Sequence, residues 1–198
     1  PGLWGGTVNV AKLERLFPAT IETLSDIGKL RRDDVDDFEN VRHHCLAVGL
    51  VTEIMRRSIG LPDRVTQAGI LHDLKKRFEK RPQDFTAQEV TRLERIWMEI
   101  PEDLRLATSP LTRENSLEKT TLRSRVLNLA DMWTLGDHVI GLVGRMDGSR
   151  ARWPQLDWDF HMEWGEKLES EIWNELKQRG VVSGNQGLLN WVLFQITQ

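Results

Sequence analysis

The chain of 198 residues carries 27 lysine and arginine residues against 30 aspartate and glutamate residues, for a formal net charge of −3. This balance argues against non-specific binding to nucleic acid, because no long basic run is present to neutralise a phosphate backbone. No stretch approaches the roughly 20 apolar residues that a membrane span needs, and the one cysteine excludes an internal disulfide. Length and composition therefore predict one domain that works in the reducing cytoplasm, away from membranes.

Apolar residues recur at every third or fourth position along almost the whole chain, whereas the alternation typical of strands is nearly absent. This period predicts an all-α protein built as a single-domain helical bundle. We divide the predicted domain into N-terminal helices over 1–32, a central core over 33–146 and C-terminal helices over 147–198 that complete the same bundle.

The ends of the predicted helices follow from proline, glycine and capping residues. Gly60 ends the third helix, because glycine terminates helices readily, and a capping-box pattern begins at Thr86. Residues 147–149, Asp-Gly-Ser, are predicted to form a loop. In chain order the predicted helices cover 10–17, 18–30, 35–58, 62–76, 86–97, 101–107, 117–146, 159–179 and 188–196.

Three of the five histidines lie on two successive predicted helices. His43 and His44 are near the start of the third helix, and His72 directly precedes Asp73 near the end of the fourth. At a helix end, a histidine and the aspartate that follows it can converge on one ion, and imidazole with carboxylate suits several divalent metals. The doublet alone is a weak motif, since a His-Asp pair often arises by chance.

The surroundings of the doublet are more specific. Residues 68–76 read Ala-Gly-Ile-Leu-His-Asp-Leu-Lys-Lys, residues 44–48 read His-Cys-Leu-Ala-Val, and residues 128–133 read Asn-Leu-Ala-Asp-Met-Trp. In this order, over about residues 40–146, the chain resembles the HD-domain superfamily of metal-dependent phosphohydrolases. The resemblance implies a helical bundle of the HD type that binds a divalent metal ion.

The resemblance also implies roles for single residues. The implied metal ligands are His44, His72, Asp73 and Asp131. Asp73 is further expected to orient or deprotonate the attacking water as the catalytic residue. Lys76 matches the basic residue that follows the doublet in the family, and it is expected to bind a phosphate oxygen of the substrate as a point charge.

Each of these residues also has a purely structural interpretation. His44 is preferred to His43 because it shares a helical face with Val48, yet it could be a core histidine bonded to a backbone carbonyl. Asp131 could pair with an arginine, although a carboxylate among leucines is costly unless it is paired or binds metal. Lys76 could be a solvated residue of a basic run.

The chain departs from the family in ways that narrow the expected chemistry. No histidine occurs between Asp73 and His138, so the additional ligands of family members with two metal ions are missing. The resemblance then implies one divalent ion (Mn, Fe, Co, Ni, Mg or Zn) and hydrolysis of a phosphomonoester or phosphoanhydride bond, most plausibly in a nucleotide. On a continuous helix over 117–146, His138 and Arg145 follow Asp131 at two-turn intervals, and both are expected to line the substrate pocket.

Two other functions stay open at this point. A metal-binding sensor or scaffold would keep the ligands without turnover and would hold a partner, or a second copy in a homodimer, on a tryptophan-rich surface. That surface would draw on Trp153, Trp158, Trp164, Trp173 and Trp191, for which core packing is the alternative. A single-strand nuclease would need a basic groove around residues 75–81, and the net charge makes nucleic acid an unlikely partner.

Overall fold

Helices account for most of the computed structural model, which describes residues 10–32, 37–108 and 121–198. In chain order the helices are α1 (Ala11–Leu16), α2 (Pro18–Asp26), α3 (Asp37–Ile59), α4 (Arg64–Leu71), α5 (Lys76–Lys80), α6 (Ala87–Glu99), α7 (Glu102–Ala107), α8 (Leu122–Trp133), α9 (Gly141–Arg150), α10 (Trp158–Gln178) and α11 (Leu188–Ile196). A short 3-10 helix covers Pro82–Asp84, and a two-stranded hairpin of β1 (Thr134–Leu135) and β2 (His138–Val139) separates α8 from α9. The predicted all-α class is confirmed.

Helix α3 is the centre of the bundle. It packs on α4 and α8 and also contacts α1, α10 and α11. The buried apolar side chains form one continuous cluster that runs from Leu13 on α1 to Val192 on α11, and Trp133 and Trp164 are among its largest fully buried members. Since residues from all three predicted parts share this core, they form one domain.

Two glycines let α3 and α4 approach each other closely. A Cβ atom at Gly49 would lie 2.6 Å from Cγ1 of Ile70, and one at Gly69 would lie 3.4 Å from the Cα of Gly49. Larger side chains at these positions would push the two helices apart. The close contact places the middle of α3 directly against the C-terminal end of α4.

Several predicted helix ends are confirmed. Helix α3 ends at Ile59, and Gly60 adopts a φ of +79°, where the Leu61 amide donates to the Arg56 carbonyl. Before α6, the Thr86 amide donates to the Glu89 carboxylate at 2.8 Å while the Glu89 amide donates to the Thr86 hydroxyl, so the capping box is present. The predicted helix starts at 35 and 117, and residues 1–9 of the N-terminal part, lie outside the described residues.

The prediction of one helix over 62–76 is wrong at its C-terminal end. Helix α4 ends at Leu71, and Asp73 lies in the turn that leads to α5. The Nδ1 atom of His72 lies 2.7 Å from the Gly69 carbonyl, the acceptor that the Asp73 amide would use in a continued helix. Hydrogen bonds three residues apart then tighten the chain, from the Leu74 amide to Leu71 and from Lys76 to Asp73. The His-Asp doublet therefore lies between two helices.

The prediction of one helix over 117–146 is also wrong, because a hairpin interrupts it. Thr134 pairs with Val139 across a two-residue turn in which Gly136 has a φ of +57°. Each strand has only two residues, too few for an alternating pattern to be recognised in the sequence. The predicted loop over 147–149 is wrong as well, since these residues belong to α9.

Within 10–32, 37–108 and 121–198, no helix combines the length and the apolarity needed to cross a membrane.

Candidate metal centre

Three side chains from three helices meet where α3, α4 and α8 pack together. His44 comes from α3, His72 follows the last residue of α4, and Asp131 comes from α8. Their ligating atoms all lie within 4.8 Å of one another. The structure thus brings together three of the four ligands expected from the sequence, and it is His44, not His43, that joins the group. Two imidazoles and a carboxylate at this spacing are able to hold a divalent cation.

His72 is the most deeply buried member of the group. Its side chain is 3% exposed, and Nδ1 donates to the Gly69 carbonyl at 2.7 Å. This bond leaves the lone pair on Nε2, which is buried and has no hydrogen-bond partner among the described residues. The nearest carboxylate oxygens are Oδ1 of Asp131 at 3.7 Å and Oδ2 of Asp73 at 3.8 Å. A buried imidazole whose other nitrogen is fixed by a carbonyl is the usual arrangement of a histidine that binds metal.

His44 and Asp131 form a direct contact beside His72. Nε2 of His44 lies 3.0 Å from Oδ1 of Asp131, and the rings of His44 and His72 meet edge to face with centroids 5.0 Å apart. Burial acts to raise the pKa of Asp131, but the hydrogen bond from His44 and electrostatic interactions with His72, His44 and Arg145 outweigh it, so the pKa lies well below its ordinary value. Asp131 is therefore ionised, as a metal ligand must be.

Asp73 lies at the edge of this group. Its Oδ2 is 3.8 Å from Nε2 of His72, and its Oδ1 is 3.8 Å from Nζ of Lys76. The carboxylate does not belong to the set of ligating atoms within 4.8 Å of one another. Asp73 is placed between a histidine of the cluster and a lysine, and its roles as fourth ligand and catalytic residue stay predictions.

The thiol of Cys45 lies beside the cluster in the core. Burial raises the pKa of Cys45 well above its ordinary value, and the negative charges of Asp73 and Asp131 act in the same direction. The thiol is therefore neutral and serves as a buried packing group on α3.

The three basic side chains of residues 75–77 have different surroundings. Nζ of Lys75 lies 2.6 Å from Oε1 of Glu94 on α6, and Nε of Arg77 donates to the Asp84 carboxylate at 3.0 Å. Lys76 alone of the three lines the cavity beside Asp131. Further along α5, the guanidinium of Arg81 lies 5.0 Å from the centre of the Phe38 ring. Arg77 and Lys80 lie over the same ring, 4.8 and 5.9 Å from its centre. Three of the five cations thus converge on Phe38, whereas Lys75 pairs with Glu94 and Lys76 lines the cavity.

A cavity of about 400 Å³ opens beside the cluster. Asp131, Lys76 and Arg145 contribute charged groups to its lining, and the rest of the wall comes mainly from α9, residues 153–156 and α10. His161 lines the same cavity, although it lies outside the region of family resemblance and has no predicted role. The one feature of the sequence that could have indicated it is the helical spacing of Trp158 and His161, which places them on one face of α10.

The two predicted pocket residues after Asp131 have different positions. Arg145 lines the cavity from α9, with its guanidinium 6.0 Å from the centre of the Trp153 ring. His138 lies on β2, where Nδ1 is 2.8 Å from a carboxylate oxygen of Asp137, and it is not part of the cavity lining. The expectation for His138 is wrong because it assumed a continuous helix, and the hairpin removes the two-turn spacing on which it depended.

Comparison of the chain with protein-family models, curated proteins and solved structures finds no match.

Proposed function

We propose that this chain is a metal-dependent phosphohydrolase of the HD type, which cleaves a phosphomonoester or phosphoanhydride bond with the help of one divalent ion. The observation that carries the proposal is the buried, unpartnered Nε2 of His72, which lies within 4 Å of two carboxylates at a cavity with two cations among its lining residues. A metal ion can complete a buried nitrogen in this state, and a lysine and an arginine in one cavity lining suit a phosphate group.

The residues present fit a divalent ion. His44, His72 and Asp131 would hold it, and Asp73 would add a fourth ligand. Two neutral imidazoles and two carboxylates balance the charge of a divalent cation, and such a set accepts Mn, Fe, Co, Ni, Mg or Zn. When bound, a divalent ion lowers the pKa of a water molecule and polarises a phosphoryl oxygen.

Groups of the protein itself would orient the ligands, accept the proton and bind the phosphate. The Gly69 carbonyl fixes the neutral tautomer of His72, so that the ring stays oriented through the reaction. Asp73 would accept a hydrogen bond, and then a proton, from the attacking water. Lys76, whose Nζ is 3.8 Å from Asp73, would bind a non-bridging phosphate oxygen, and Arg145 would approach the same phosphate from α9. We place this activity in the reducing cytoplasm, where the buried thiol of Cys45 stays free.

A metal-binding sensor without turnover is the second candidate. The position of Asp73 outside the group of close ligating atoms favours it, since the water-activating carboxylate of a hydrolase would be held with the other ligands. Both candidates require bound metal, so only turnover separates them.

Release of inorganic phosphate tests the proposal. The full chain is stripped of metal, refilled separately with Mn, Co, Ni, Mg or Zn, and assayed on nucleoside mono-, di- and triphosphates and on simple phosphate monoesters. We expect release with at least one ion, and we expect Asp131→Asn and Asp73→Asn to abolish it. The matched control is Asp147→Asn on α9, an exposed carboxylate outside the cluster.

The outcomes assign the site to one candidate. Release that depends on both carboxylates supports the hydrolase. Stoichiometric metal binding through His44, His72 and Asp131, without phosphate release on any substrate with any ion, would reject the hydrolase in favour of the sensor.

A further inference from the structure

The cavity lining has two chemically different parts. Its charged residues are Asp131, which belongs to the cluster, Lys76 and Arg145. Most of the remaining lining is large and apolar or aromatic, namely Met132, Leu142, Met146, Trp153, Leu156, Trp158 and Met162, and its other polar members are Thr108, Asn128, Gln155 and His161. Met132 belongs to α8, whereas the other apolar residues come from α9, the segment that follows it and α10. A phosphorylated ligand would thus have its phosphate at the charged residues and its organic part against the apolar ones.

Two polar side chains of the lining, Asn128 and Trp158, have their hydrogen bonds satisfied by the protein itself. The amide of Asn128 donates to the Ala107 carbonyl at 2.6 Å, and its oxygen accepts from Nε1 of Trp164 at 2.7 Å. Nε1 of Trp158 donates to the Trp153 carbonyl at 3.0 Å. These groups stabilise the wall, and they are not available to recognise the polar edges of a ligand.

One of the two ring nitrogens of His161 also has a hydrogen-bond partner within the protein. Its Nδ1 donates to the Asp157 carbonyl at 2.8 Å, and its ring lies 5.5 Å from the Trp158 ring. The imidazole and the indole therefore present ring surfaces next to each other. Aromatic rings in this arrangement are suited to contact another aromatic ring, and methionine side chains adapt to its outline.

We propose that the organic part of the substrate is an apolar aromatic group, so that the substrate is an aryl phosphomonoester; this inference rests on the proposed phosphohydrolase function. Its ring packs among Trp153, Trp158 and the methionines, while its phosphate meets Lys76, Arg145 and the cluster. A cavity of about 400 Å³ accommodates a ligand of one or two fused rings.

The same wall disfavours a nucleotide. The sugar and base of a nucleotide carry many hydrogen-bonding groups, and each one that is buried without a partner costs binding free energy. Asn128 and Trp158 already have partners, so the uncharged polar groups left in the lining are the Thr108 hydroxyl, the Gln155 amide and Nε2 of His161. These are fewer than the hydrogen-bonding groups of a sugar and a base. Transfer of an aryl group out of water breaks few hydrogen bonds, and burial of its apolar surface contributes favourable binding free energy.

The reaction is a simple hydrolysis. The oxygen of water forms a bond to phosphorus, and the bond between phosphorus and the aryl oxygen breaks, with its electron pair staying on that oxygen. One proton of the water passes to the aryl oxygen, so the products are an aryl alcohol and inorganic phosphate. No oxidant, reductant or further co-reactant is needed.

The test compares two pairs of probes on the full chain. 2-Naphthol and adenosine lack phosphate, and their binding to metal-stripped protein is measured by calorimetry. 2-Naphthyl phosphate and adenosine monophosphate are then compared by kcat/KM with the best metal. We expect 2-naphthol to bind and adenosine to bind at least about tenfold more weakly, and we expect the kcat/KM ratio to favour 2-naphthyl phosphate by at least about tenfold.

A matched pair of variants tests whether the apolar part of the cavity lining determines the preference for the aryl substrate. Met162→Gln keeps the length of the side chain but adds an amide to the wall, and we expect kcat/KM for 2-naphthyl phosphate to fall by about tenfold. Met98→Gln makes the same change on an exposed residue of α6, outside the cavity, and is expected to leave that value unchanged.

Failure of this inference and failure of the proposed function give different results. If 2-naphthol binds to the wild-type chain but no ion supports phosphate release, the aromatic subsite stands and the hydrolase proposal fails. If adenosine monophosphate is hydrolysed as well as 2-naphthyl phosphate and 2-naphthol does not bind, hydrolysis stands and the aromatic subsite is rejected. An equal effect of Met162→Gln and Met98→Gln would also reject it.

Discussion

The cluster formed by α3, α4 and α8 and the cavity wall formed by α8, α9 and α10 differ in whether the polar side chains that face the site have hydrogen-bond partners. In the cluster, Nε2 of His72 is buried without a hydrogen-bond partner among the described residues. In the wall, Asn128, Trp158 and His161 direct their polar atoms to nearby backbone or side-chain groups. The unpartnered nitrogen of the cluster is available to a ligand, and the paired groups of the wall support the structure.

The largest expected effect is on metal binding by the cluster. His72→Gln should weaken metal binding about 1,000-fold, because it removes one of the three clustered side chains that would share the binding of the ion. Calorimetric titration of metal-stripped protein measures it. His138→Gln, on β2, is the matched control and should bind metal like the wild type. Similar affinities for the two variants would mean that His72 is a structural histidine.

The wall should respond in stability and not in metal affinity. Asn128→Ala leaves the Trp164 indole N–H and the Ala107 carbonyl without their partner, and it should lower the free energy of unfolding by about 3 kcal/mol. Urea denaturation of the metal-free chain gives this value. Asn190→Ala, an exposed residue of α11, should change it by less than about 0.5 kcal/mol. A stable Asn128→Ala variant with weakened metal binding would contradict the division between the two regions.

Lys76 lies where the two regions meet, and its neighbour supplies a direct comparison. Lys76→Ala should lower kcat/KM for phosphate release about 30-fold, less than a fully buried donor would, since its side chain is 40% exposed. Lys75→Ala removes the same group from an ion pair with Glu94, outside the cavity lining, and should leave kcat/KM unchanged. Steady-state kinetics on the best substrate distinguishes the two variants, and equal losses would show that only overall charge matters.

The smallest expected effect concerns the anchor of α8, the helix that both regions share. Burial acts to raise the pKa of Asp103, but hydrogen bonds from Arg123 and Thr121 and the charge of Arg123 outweigh it, so the pKa is lowered. A lowered pKa stabilises the folded chain above the ordinary carboxyl range, and the stabilisation is lost as the pH falls below it. Asp103→Asn should therefore cost about 1 kcal/mol near pH 7 and less near pH 3, where part of the stabilisation is lost.

Urea denaturation at the two pH values checks this dependence. Asp147→Asn, an exposed carboxylate on α9, is the control and should show no such change between them. If Asp103→Asn costs the same at both pH values, its pair with Arg123 does not contribute through ionisation.

The amino-acid sequence determined the features that depend on near neighbours in the chain. Its apolar period of three to four residues predicted the helices, and Gly60 and Thr86 predicted helix ends that the structure contains, because glycine conformation and capping bonds act within one turn. The order of His44, His72 and Asp131 also led to a set of side chains that the fold brings together.

The structure decided what the apolar period did not reveal. The hairpin after α8 and the turn at His72 interrupt runs of residues that have helical periodicity, because Gly136 adopts a positive φ and His72 bonds to the Gly69 carbonyl. The cavity wall, with Arg145 on α9 and His161 on α10, follows from how those helices pack on α8. Contacts between residues far apart in the chain depend on the whole core, and one sequence records only the side chains that take part in them.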